Sequence, residues 1–130
     1  MHAMKNRISS DLDSFFGYCF ERLCREALPH IYNMEGVDAS FNVGEYWNPK
    51  TQIDVVGIRD DNWIDLGECK WGAVRSTKAV EAELRSKAIH YPNPQDYTIS
   101  YHIFSRNPVR KKQSRDSSVR WHSLKELYSK

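Results

Sequence analysis

The 130 residues are 40% hydrophobic and 28% charged, with a net charge of +2; this suits one globular domain that buries a core without disulfide or metal staples. No stretch nears the roughly 20 apolar residues that span a bilayer, and the polar start MHAMKNRISS has no apolar signal-peptide core, so a cytoplasmic protein with no membrane contact is expected. Cys19, Cys24 and Cys69 show no CxxC or Cys–His ligand spacing, which argues against a disulfide framework or a structural zinc and for reduced thiols.

A single domain over residues 1–130 is expected, with 1–9 as a flexible tail. Ser10 followed by Asp13 is a capping-box-like start. Leu12, Phe15, Phe16, Cys19, Leu23 and Ala27 then recur at three- and four-residue steps, so an amphipathic helix ending near Pro29 is predicted. DASFNVGEYWNPK alternates around Phe41 and Val43 before turn residues Asn48 and Pro49, and reads as a first strand. TQIDVVGI and WIDLGECKW, dense in Ile and Val, are the next two strands, joined by the turn-prone RDDN.

The register of that hairpin can be worked out. With a loop of Asp60, Asp61 and Asn62, and Asn62 left-handed, Arg59 faces Trp63 and Asp54 lies opposite Glu68. Val56, Ile58, Ile64 and Leu66 would form a core face, with Asp54, Glu68 and Lys70 gathered at its far end. A two-residue loop would send Asp54 and Glu68 to opposite faces.

Ser76 can cap a second helix carrying Val80, Leu84 and Ala88 on one side and closed by Pro92. YTISYHIF (97–104) alternates as a strand, SVRW as a last short strand, and Ser123 with Glu126 forms a capping box for a terminal helix. The result is a mixed α/β domain with helices covering a central sheet.

Carboxylates facing each other across a hairpin repel. A divalent cation turns that cost into binding energy, and one or two carboxylates with waters and substrate phosphates suit Mg²⁺. Lys70 lies on the same face as Glu68, roughly 7 Å along the strand, where a point charge can orient water and stabilise charge on a phosphate.

Asp54 in QIDVV, followed by Glu68 and Lys70 in GECKW, resembles the PD-(D/E)xK nuclease superfamily, the fold of restriction endonucleases and archaeal-type Holliday-junction resolvases. That resemblance implies a restriction-endonuclease-like mixed sheet with an α-β-β-β-α-β core, and a metal-dependent endonuclease acting on DNA with Mg²⁺ or Mn²⁺. It implies Asp54, Glu68 and the main-chain carbonyl of Cys69 as metal ligands and Lys70 as the catalytic lysine. Glu21, which follows Gly17 on the first helix, would be a supporting ligand or water-orienting acid. More narrowly, residues 10 to 105 look like the C-terminal nuclease-like domain of unknown function attached to certain archaeal and bacterial ATPases. An AAA-type ATPase, fused or separate, is then an implied partner, and cutting both strands would favour a homodimer.

Arg75 and Lys78, at the start of the second helix, are candidate phosphate contacts, as are Arg110, Lys111 and Lys112 in the basic run RNPVRKKQSR. Bland alternatives stand beside each assignment. The carboxylates and Lys70 could be a strand-end ion cluster, Glu21 a plain i,i+4 partner of Arg25, the basic run a solvated loop, and Trp47, Trp63 and Trp71 packing residues. A catalytically inactive module that binds nucleic acid or docks on an ATPase is the competing function.

Overall fold

The computed structural model describes residues 2–109 and 118–128, with side chains from Ser14 onward. In chain order the elements are α1 (His2–Met34), β1 (Phe41–Asn48), β2 (Thr51–Arg59), β3 (Trp63–Lys70), α2 (Thr77–Ala88), β4 (Thr98–Ser105), β5 (Val119–Ser123) and α3 (Leu124–Leu127). The mixed α/β order expected from the sequence, including the last short strand and the terminal helix, is thus present. The strands form one sheet in the order β1-β2-β3-β4-β5, antiparallel as far as β3 and parallel from β3 to β5. The β3–β4 pair is joined through α2, the crossover that a parallel pair requires.

Both ends of α1 differ from expectation. Residues 2–9, expected as a tail, are helical, so Ser10 lies inside the helix rather than at its start, and the helix runs through Pro29 to Met34. A proline inside a helix costs about 3 kcal/mol. Leu28, Ile31 and Tyr32 around it are buried, and each such burial contributes about 1.5–3 kcal/mol, so packing wins. The stop is Gly36, left-handed at φ 68, with Val37 N–H donating to Tyr32 O and Gly36 N–H to Asn33 O. That is a Schellman closure. The buried stripe is also rotated: Phe20, Cys24, Ala27, Leu28, Ile31 and Tyr32 face the sheet, whereas Phe15, Phe16 and Leu23 are exposed.

The two helices cover opposite faces. The α1 stripe packs with Val55, Phe104 and Leu124; Leu84 and Ala88 of α2 pack with Ile53, Val56, Ile64, Leu66, Ile103 and Val119. Ile58, expected in that second core, is 50% exposed near the strand end. Ser76 caps α2 by accepting from Ala79 N–H, and Ser123 caps α3 by accepting from Glu126 N–H, both as predicted. Among the described residues, no helix is long and apolar enough to cross a membrane.

A polar network lies under α1. Asp65 accepts from Tyr32 Oη, and its Oδ1 is 2.8 Å from His102 Nε2; His102 Nδ1 is 2.9 Å from His122 Nε2. Arg59 Nη1 is 3.6 Å from the same carboxylate. Tyr32 reaches Asp65 across Gly57, where a Cβ would strike the Tyr32 hydroxyl and come within 2.8 Å of Leu28 Cδ2. Bonds from His102 and Tyr32 overcome burial and hold Asp65 below its ordinary range, while burial and the charges of His102 and Arg120 push His122 down to about 3.

Candidate active site

The hairpin register is the one the loop length requires. Asn62 is left-handed at φ 69, and Val55↔Gly67, Val56↔Leu66, Gly57↔Asp65 and Ile58↔Ile64 are partners. Continuing that ladder sets Asp54 against Glu68. On the other side of β2, Gly44 pairs with Val56 and Tyr46 with Ile53, so β2 has one residue more than β1 between these pairs. The extra residue makes a bulge at Asp54–Val55, a feature that bends a strand and re-aims a side chain. Asp54 Oδ2 accepts from Cys69 N–H at 3.0 Å, the carboxylate replacing a ladder carbonyl at the strand end.

Asp54 and Glu68 are both buried, 6% and 5% exposed. Glu68 is pushed up to about 8, first by burial, then by the charge of Asp54 and a hydrogen bond with its carboxyl, against the pull of Lys87. Glu21 on α1 is also raised, by partial burial and then by Asp54, while Arg25 opposes. Arg25 is not simply its i,i+4 partner: it donates to Asp54 O at 3.2 Å and lies 3.7 Å from Glu45 Oε2.

Lys70, at the last position of β3, is 3.5 Å from Glu83 Oε2 on α2. Lys87, one turn further along, donates to both Glu68 oxygens at 3.0 Å and lies 3.6 Å from Glu83 Oε1. Glu83 and Lys87 were missed by sequence reasoning. Their i,i+4 spacing is a visible signal, but it reads as an ordinary helix-surface pair.

The oxygen donors suit a hard divalent cation. Two carboxylates converge, and because a strand residue's N–H and C=O point to the same side, the Cys69 carbonyl faces Asp54 as well. Among the described residues, no group of three or more His, Cys, Asp and Glu is arranged to hold a metal. Two carboxylates completed by water and phosphate oxygens are a donor set that Mg²⁺ accepts. The Cys69 thiol is raised, chiefly by a hydrogen bond with Cys24 and then by burial, so it stays protonated and its sulfur is a poor ligand.

Arg75 and Lys78 are exposed beside the α2 cap, and Arg110, Lys111 and Lys112 lie outside the described residues. Trp71, next to Lys70, packs on Phe16 and Phe20, with the Arg106 guanidinium 4.3 Å from its ring centre. Trp47 and Trp63, expected as packing residues, are exposed. A groove of about 280 Å³ runs between Trp71–Val74 and Ser105–Val109, at the carboxyl ends of β3 and β4. Open α/β sheets bind ligands at such strand ends.

Residues 1–82 match the model of DUF234, a family of archaeal and bacterial proteins of unknown function. The chain belongs to this family. The part matched to DUF234 holds Glu21, Asp54, Glu68 and Lys70 and stops one residue before Glu83. No curated protein and no solved structure matches the chain.

Proposed function

We propose that this DUF234 chain is a metal-dependent endonuclease that hydrolyses phosphodiester bonds in DNA, with Mg²⁺ or Mn²⁺ held by Asp54, Glu68 and the Cys69 carbonyl. The observation that carries the reading is the buried Asp54–Glu68 pair with Lys70 at the end of β3, the strand of Glu68. Two buried acids kept together at an electrostatic cost, with perturbed proton affinity, are a signature of functional sites. The cation would polarise a phosphoryl oxygen and lower the pKa of a bound water.

The remaining roles fall to the chain's own groups. Lys70 orients the attacking water and stabilises charge building on the phosphate. Glu21, with its raised proton affinity, positions water from the α1 side. Arg75, Lys78 and the basic run at Arg110, Lys111 and Lys112 meet the DNA backbone. The net charge of +2 is small for unaided DNA binding, which favours delivery by a partner such as an AAA-type ATPase, fused or separate.

A second reading rests on the exposed Phe15, Phe16 and Tyr18 of α1: an inactive nuclease-fold module that docks on such an ATPase. Cleavage of plasmid and single-stranded DNA, with Mg²⁺, Mn²⁺ or EDTA, separates the two. Metal-dependent nicking that Lys70→Ala abolishes is expected. Absence of cleavage under every condition, or cleavage unaltered in Lys70→Ala, overturns the nuclease reading.

A further inference from the structure

Lys87 grips the carboxylate that the proposed cation needs. Its ammonium donates to both Glu68 oxygens at 3.0 Å, and Glu83 stands ready 3.6 Å away. A divalent ion on Glu68 would put two like charges on one carboxylate, a repulsion that grows as water is excluded. A lysine is suited to give way, being a point charge on a flexible stem rather than a planar fork. Glu83, one helical turn back, can receive it without movement of α2.

We infer that Lys87 is a tethered counter-ion: it holds Glu68 beside Asp54 before the cation arrives, competes with it, and so sets the concentration at which the site fills. This rests on the metal-site reading and adds to it a positioning residue on α2. Competition and simple bracing differ in sign. A brace, once removed, leaves Glu68 disordered and weakens metal binding. A competitor, once removed, tightens it.

The test is Mn²⁺ binding to the full chain, measured from the electron paramagnetic resonance of the free ion, for wild type, Lys87→Met and Lys87→Arg. Lys87→Met is expected to bind Mn²⁺ roughly tenfold more tightly, a modest fraction of the unscreened repulsion, and Lys87→Arg to stay near wild type. Unchanged or weaker binding in Lys87→Met overturns the inference and leaves the metal site standing. No uptake by wild type at millimolar Mn²⁺ defeats the metal-site reading and the inference together. Should Lys87→Met fail to fold, the Lys87 ammonium resonance of ¹⁵N-labelled wild type decides. It is expected to move as Mg²⁺ is added, and a resonance unmoved at saturation overturns the inference.

Discussion

Asp65 and Glu68 are three residues apart on β3, equally buried, and opposite in circumstance. Asp65 faces α1 and is surrounded by donors: Tyr32, His102 and Arg59. Glu68 faces α2 and has another acid, Asp54, against it, with Lys87 as counter-charge. The first acid is held below its ordinary range and the second is pushed up to about 8. One strand thus carries an acid that supports the fold and an acid that costs it stability. On the proposed reading the first acid is structural and the second is kept for a cation.

Substitutions should separate the two acids by sign. Asp65→Ala leaves Arg59, Tyr32 and His102 without their shared acceptor, and removing one partner of a buried ion pair costs about 3–5 kcal/mol. Urea melts should show that loss. Asp54→Asn should act the other way. Its amide oxygen can still accept from Cys69 N–H while the like charge is gone, so a gain of up to about 1 kcal/mol is expected in EDTA, together with loss of cleavage. A destabilised Asp54→Asn, or an Asp65→Ala as stable as wild type, would erase the contrast.

A third effect is in pH. Glu68 holds its proton up to about 8 in the folded chain but only to 4.5 in the unfolded chain. Between those values the folded state binds more protons, so stability falls as pH rises from about 4.5 to about 8, by at most ~1.4 kcal/mol per unit. Asp54→Asn should flatten that slope. His122 has the reverse sign: its folded value is depressed to about 3 from 6.5, so stability is lost as pH falls through that window. Melting temperatures across pH 4 to 9 for wild type, Asp54→Asn and His122→Gln would assign each limb.

The parts of this contrast legible in the sequence were local. The turn Asp60–Asn62 sets the hairpin register and therefore the facing of Asp54 and Glu68. Ser76 and Ser123 mark two helix starts because a cap is satisfied within four residues. Features decided by packing were not legible. Pro29 reads as a helix stop until the burial around it is known. Asp65 finds His102 37 residues away, and Lys87 reaches Glu68 only after α2 has docked on the sheet. The bulge at Asp54 has no signature in QIDVV; it follows from how β1 pairs with β2.

The central claim is that Asp54 and Glu68 are held together for a cation. Its most direct test is the thermal melting of wild type and Asp54→Asn in EDTA and in millimolar Mg²⁺ at pH 8.5, where Glu68 is largely ionised. A ligand that binds only the folded chain stabilises it by mass action, so Mg²⁺ should raise the wild-type midpoint by several degrees and leave Asp54→Asn unchanged. Equal midpoints for wild type in Mg²⁺ and EDTA, or the same rise in both proteins, would contradict the claim.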